Sequence, residues 1–348
     1  MWPWRVRNKQ MRALALDYQS RQLGYLDVPE PAEPGSGEVL LETIEVGVCG
    51  TDRDLAKFRF GKPPAGRHHL ILGHEALARV KAVGSQVTGC APGDLVVPRV
   101  RHSCRPACSS CSAGRSDLCV TNNYHERGIT GLDGFFRPFA VDDATHLHAI
   151  PSELAEVAVL VEPMSVVEKA YELAIKLHAS GQVRRLAVIG AGTIGLLTAM
   201  LAKLKGHEVT VVSREAVESP RAKLIQKLGC SYQVNFSNLS ADVIIEAAGS
   251  NAAACSAISG LAPLGVLILL GAPDGIGDMP FLRMIVGNQV VAGSVNAAPN
   301  HFALAVKDLS VLDRSMLGNL IERRNFASAK ETIISGAPES IKLVHRLD

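Results

Sequence analysis

The chain has 348 residues, 47% of them hydrophobic and 20% charged, with 36 Lys and Arg against 34 Asp and Glu, so its net charge is +2. That length suggests two domains, and that composition excludes a disordered, fibrous or coiled-coil protein. A charge so near zero gives no polyanion-binding default, so nucleic acid is not an expected partner.

The first residues, MWPWRVRNKQMRALALDY, are basic without the apolar core of a secretory signal, which predicts an intracellular, cytoplasmic protein. Two uncharged stretches, Leu186 to Ala202 and Ala247 to Pro273, are interrupted by Gly, Ser, Thr, Asn or Pro. They read as buried strands and helices, and no membrane association is expected.

Up to about residue 160 the chain reads as irregular and β-rich, with Val, Leu and Ile runs at Glu38 to Val48, Glu75 to Val83 and Asp94 to Val100 bounded by Gly or Pro. Pro163 suits the first position of a helix over MSVVEKAYELAIKL, because the N–H it lacks has no intrahelical partner there. From Arg185 strands and helices alternate: RLAVIG, TIGLLTAMLAKLKG, EVTVVS, PRAKLIQKLG, ADVIIEAAG, GVLILLGA, QVVAGSV. Such alternation predicts βαβ units and a parallel sheet covered on both faces. The last 50 or so residues lose that rhythm and are expected to return to the first domain.

Gly190-Ala191-Gly192-Thr193-Ile194-Gly195 fits G-x-G-x-x-G between a predicted strand and a predicted helix, the context in which the motif cradles a dinucleotide. The first Gly allows a tight turn, the second lets backbone approach the pyrophosphate, and the third permits close helix–strand packing. At the end of the second strand, where an acid would hold the ribose of NAD, stand Val212-Ser213-Arg214. A hydroxyl and a guanidinium suit a 2′-phosphate, so NADP is the preferred cofactor, with NAD possible. The alternative is a solvated Arg214 with Glu215 on the ribose.

Of eight cysteines, Cys104, Cys108, Cys111 and Cys119 are spaced C-x3-C-x2-C-x7-C. Four thiolates on one short lobe suffice for a closed tetrahedral zinc site of structural type. A dispersed set, Cys49 in GVCGTD, His74 and Glu75 in GHE, and Glu162 in VEP, has the donor types of an open, catalytic zinc site.

The ordered series Cys49-Gly-Thr51-Asp, Gly73-His74-Glu75, Pro92-Gly93-Asp94, the cysteine lobe, Glu162-Pro163 and G-x-G-x-x-G resembles the zinc-dependent medium-chain dehydrogenases over nearly the whole chain. CGTDRD, HERGI around Glu126, DGFFRPF, VEPMSVVEKA and GSVNAAPNHF are similar to its glucose (aldose) 1-dehydrogenase subgroup. The resemblance implies an α/β architecture: a GroES-like β-rich catalytic domain over residues 1–164 and 299–348, with a structural zinc lobe at about 101–120, and a Rossmann doubly wound domain over 165–298. It implies a homo-oligomer, dimer or tetramer. It also implies two zinc ions per chain, the catalytic one on Cys49, His74 and Glu162, with Glu75 trading places with water. Thr51 matches the hydroxyl beside the reacting alcohol, and Glu126, Glu162 and Asn296 match positions bonding sugar hydroxyls. The chain departs from the family in the x3 spacing of its lobe, in Ala78 and Val100, and in a single Arg after Ser213 where relatives often carry two.

These features predict hydride transfer from the anomeric carbon of a glucose- or galactose-like aldose to NADP, giving an aldonolactone. The alternative is a zinc dehydrogenase of another polyol, amino alcohol or alcohol, like those for sorbitol or threonine. Zinc would acidify the reacting hydroxyl, with Thr51 as first proton relay; Asp54 reads as a solvated loop acid.

Overall fold

The computed structural model describes residues 9–271 and 277–347, so the first eight residues and the end of the second uncharged stretch lie outside it. Among the described residues no helix is long and apolar enough to cross a membrane. The chain forms two compact units, one running to Glu162 and resuming at Asp313, the other Pro163–Leu312.

In the first unit, β1 (Glu38–Val48) pairs antiparallel with β2 (Glu75–Val83) inside a seven-stranded sheet. Val39 and Leu41 turn inward in alternation, and past the irregularity between Thr43 and Glu45 Val46 joins them in one buried cluster with Phe135 and Phe136. A short helix, α1 (Gly50–Ala56), leaves the end of β1. Two short strands, β3 (Arg101–His102) and β4 (His125–Arg127), pair across the base of the cysteine lobe.

The helix predicted at Pro163 begins two residues earlier: α2 spans Val161–Leu177, after a 3-10 stretch Ser152–Leu160. Pro163 still sits in the first turn, where the missing N–H costs no helical bond.

In the second unit six strands run parallel: β5 (Arg185–Ile189), β6 (Glu208–Val212), β7 (Ser231–Gln233), β8 (Ala241–Glu246), β9 (Leu261–Leu269) and β10 (Val290–Gly293). Their spatial order is β7-β6-β5-β8-β9-β10, the doubly wound order whose reversal beside β5 opens a cleft at the carboxyl ends of the strands. Helix α3 (Thr193–Leu204) follows β5, and α4 (Pro220–Lys227) follows β6, with Ser219 capping it and Pro220 at its start. Later come α5 (Phe281–Gly287) and α6 (Pro299–Val311).

Sequence reading placed residues 299–312 with the C-terminal return. In the structure α6 belongs to the second unit, where His301 Nε2 lies 2.9 Å from Glu172 and Asp308 pairs with Lys205. The chain then rejoins the first sheet through β11 (Ile321–Asn325) and β12 (Lys342–Arg346), and β12 pairs antiparallel with β1.

Candidate active site

Cys49 caps α1. Its Sγ accepts from the Thr51 N–H at 3.2 Å, and its own N–H donates to Asp52 Oδ2 at 2.9 Å. Asp52 is 0% exposed, and its Oδ1 lies 3.5 Å from His74 Nδ1. The other ring nitrogen, Nε2, lies 3.1 Å from Cys49 Sγ, so the imidazole stands between a sulfur and a carboxylate. Gly73 makes this possible: its φ is +93°, and a Cβ there would meet Phe136 at 2.9 Å. Burial works against protonation of His74, yet the Cys49 thiol and the Asp52 carboxylate outweigh it and raise the imidazole well above its ordinary value.

Glu75 opens β2, next to Gly47 of β1. Its carboxylate pairs with Lys342 Nζ from β12, and Nζ also donates to the Val48 carbonyl at 3.3 Å. A side chain at position 47 would put its Cβ 2.3 Å from Glu75 Oε2 and 2.8 Å from Lys342 Cε, so glycine leaves room for the ion pair. Glu162 is also buried, and its carboxyl is pushed up to about 7 by burial and by Glu75, with His74 and Lys342 opposing.

Cys49, Asp52 and His74 present ligand atoms within 4.8 Å of one another, a set that includes neither Glu75 nor Glu162. The donor chemistry fits a zinc ion. A thiolate and an imidazole nitrogen bound at about 2.3 and 2.0 Å in a tetrahedron sit roughly 3.5 Å apart, close to the spacing here. Asp52 stands behind His74 as the carboxylate that fixes a ligand's tautomer and orientation. Sequence reasoning missed Asp52, although Cys49-x-x-Asp52 has the spacing of a capping box. It missed Lys342 as well, which no local signal marks.

The four lobe cysteines also fit a metal. Their ligand atoms all lie within 4.8 Å of one another, Cys104 Sγ is 3.6 Å from Cys111 Sγ, and Cys108 Sγ is 3.9 Å from Cys119 Sγ. Zn–S bonds of about 2.3 Å imply tetrahedral sulfur separations near 3.8 Å. The unusual x3 loop lets the Cys108 N–H donate to Cys104 Sγ at 3.2 Å.

Glu126, on β4, is 8% exposed and held by Arg101, whose Nε and Nη2 both lie 2.9 Å from its Oε1. The Arg101 guanidinium in turn stacks 3.7 Å over the Tyr124 ring. Thr51 is half-buried in the first turn of α1. Asp54, read from the sequence as a loop acid, lies on that helix and pairs at 3.1 Å with Arg59 just beyond its end. Asn296 belongs to the second unit, has a φ of +62°, and accepts the Ala297 N–H at 3.0 Å.

The glycine-rich turn fits a dinucleotide. Gly190 has a φ of +101°. A Cβ on Gly195 would lie 2.0 Å from the Gly190 carbonyl oxygen, whereas one on Gly192 would enter open space. No side chain caps α3, which begins at Thr193 and Ile194, so its first N–H groups face the turn where a pyrophosphate would lie. At the end of β6 Arg214 is exposed, and Ser213 Oγ donates to Glu215 Oε2. Arg221, in the first turn of α4, donates to Glu215 Oε1 at 3.1 Å.

Two family models match. The alcohol dehydrogenase GroES-like domain covers residues 35–152, and the glucose dehydrogenase C-terminus covers 155–347. A glucose 1-dehydrogenase of Thermoproteus tenax is 40% identical over 84% of this chain and 85% of its own length. One from Methanocella arvoryzae is 34% identical over 92% and 95%. Among solved structures, Haloferax mediterranei glucose dehydrogenase in complex with NADP, Zn and gluconolactone superposes with a TM-score of 0.88 at 30% identity, covering 97% of this chain and 99% of that one. With its two zinc-competent donor sets and its doubly wound dinucleotide fold, the chain belongs to the glucose dehydrogenase family of zinc-dependent medium-chain dehydrogenases.

Proposed function

We propose that the protein oxidises a pyranose aldose of the glucose or galactose kind at its anomeric carbon to the aldonolactone, with NADP preferred and NAD tolerated as hydride acceptor. The observation that carries this reading is the Cys49–His74–Asp52 constellation in a chain whose relatives are named glucose 1-dehydrogenase. Cys49, His74 and Glu162 would hold the zinc, which would supply positive charge at the reacting hydroxyl, and NADP would supply the hydride acceptor.

The chain's own residues do the rest. Asp52 orients His74, and Lys342 pairs with Glu75. Thr51 relays the departing hydroxyl proton, accepting it while passing its own on toward solvent. Glu126, aimed by Arg101, together with Glu162 and Asn296, bonds the sugar hydroxyls; a site built around hydroxyls rejects ligands lacking them. Ser213 and Arg214 receive the 2′-phosphate.

The deciding experiment compares kcat/KM for glucose, galactose, xylose, sorbitol, threonine and ethanol, with Glu126→Ala beside wild type. An aldose should lead, and Glu126→Ala should lower its turnover. A lead for sorbitol, threonine or ethanol overturns the sugar assignment.

The same reading makes the enzyme a cytoplasmic homo-oligomer. None of the eight cysteines is in a disulfide, which is compatible with a reducing compartment. Helix α5 exposes Phe281, Leu282, Ile285 and Val286, each at least 66% exposed, and leads into β10, the last strand of its sheet, which among the described residues is paired on one side only. An apolar face along an open strand edge suits a second copy related by a two-fold axis.

A further inference from the structure

The second strand of the dinucleotide fold ends in a small closed network. Glu215 stands 20 residues after Gly195, the interval at which such folds place the acid that binds ribose hydroxyls. Both of its oxygens are occupied: Oε1 accepts from Arg221 Nη1 at 3.1 Å, and Oε2 accepts from Ser213 Oγ. Its backbone is fixed as well, because the Tyr232 hydroxyl donates to the Glu215 carbonyl at 2.7 Å and reaches the Ser213 carbonyl at 3.3 Å. Burial would raise this carboxyl, but Ser213 and Arg221 outweigh it and hold it below the ordinary glutamate value.

We infer that Glu215 is an internal competitor for the 2′-phosphate and sets the NADP-to-NAD ratio, with Arg221 as the second guanidinium of the phosphate subsite. The first turn of α4 supplies a guanidinium, Arg221, beside Ser213 and Glu215. A 2′-phosphate needs the Ser213 hydroxyl and the Arg221 guanidinium, the two donors that Glu215 holds. The carboxylate must therefore yield, and its charge opposes the incoming dianion. With NAD no phosphate competes for those donors, and Glu215 stays on the ribose side of the network as an acceptor. The consequence is dual cofactor use with a muted preference for NADP. This inference rests on the NADP reading given above and adds two residues to it.

The test is binding rather than turnover. NADPH and NADH fluorescence titrations of the zinc-loaded protein, with calorimetry of 2′,5′-ADP against 5′-AMP, are run on wild type, Arg214→Ala, Glu215→Gln, Arg221→Ala and Arg221→Lys. Glu215→Gln should bind NADPH and 2′,5′-ADP about tenfold more tightly and NADH several-fold more weakly. Arg221→Ala should weaken NADPH and 2′,5′-ADP at least tenfold while leaving NADH nearly unchanged, and Arg221→Lys should recover part of that loss. An unchanged NADPH-to-NADH ratio in Glu215→Gln overturns the inference, as does an Arg221→Ala that weakens both cofactors equally. The NADP reading fails separately, if wild type binds NADH more tightly and Arg214→Ala changes nothing.

Discussion

At the scale of single residues, the roles divide between donors and the groups that aim them. Cys49→Ser should retain about one zinc per chain by metal analysis and lose activity, with the fold intact, because the lobe site does not depend on it. Asp52→Asn keeps the shape but removes the charge behind His74, and should weaken zinc at the open site by about 10- to 100-fold in a chelator competition. An unchanged affinity would mean that Asp52 only caps α1. That Cys49 and His74 meet, at 3.1 Å, was legible because each sits in a short motif, whereas Glu162 stays outside the set of ligand atoms they form with Asp52. Lys342 was not legible, because its partner Glu75 meets it only through the pairing of β12 and β2 on either side of β1. Arg221 was hidden for a similar reason: only the turn from β6 into α4 brings it to Glu215.

At the scale of elements, β5, β6, β8 and β10 were legible to within about three residues, since buried strands read as Val, Leu and Ile runs between turn signals, whereas β9 starts four residues before its read run and the short β7, SYQ, carries no apolar run at all. The strands β11 and β12 carry Glu, Arg, Lys and His among their apolar residues and gave no such signal. The cysteine lobe has a core of little besides its own thiols and Tyr124, so metal must supply its stability. Cys111→Ser should therefore release one zinc and expose the lobe to proteolysis, while the glycine-rich turn still binds NADPH.

Helix α2 brings a pH-sensitive contact. Glu168 is 3% exposed, and burial together with the Asp308 carboxylate pushes its carboxyl up to about 8, with Lys205 opposing. A folded value above the unfolded value of 4.5 means that the contribution is complete below pH 4.5 and is lost as pH rises through about 8. Thermal melts of wild type should lose on the order of 1 to 3 kcal/mol across that window relative to Glu168→Gln. Parallel pH profiles for the two proteins would remove Glu168 as the cause.

At the scale of the whole molecule, the two-unit plan was legible from the change of rhythm near residue 160, but its second boundary was not. Helix α6 has an amphipathic pattern that suits either unit, and only its pairing through His301 and Asp308 decides between them. Assembly is tested at this scale too. Ile285→Asp, on the exposed face of α5, should shift sedimentation toward the monomer without loss of helix content, because a desolvated carboxylate cannot be accommodated in an apolar contact between copies. A wild-type protein that sediments as a monomer removes that surface as an interface.

The placement of β12 orders events during synthesis. This strand lies between β1 and β11 in the sheet of the first unit, yet it follows the entire second unit in the chain. As the polypeptide leaves the ribosome, the second unit has all of its strands before the first can close. Until β12 arrives, β1 keeps an open edge, and Glu75 waits without the ammonium that neutralises it. The nascent chain thus matures from the middle outward: the cofactor-binding half can fold first, and the metal-binding half becomes complete only when its late strand is threaded into place.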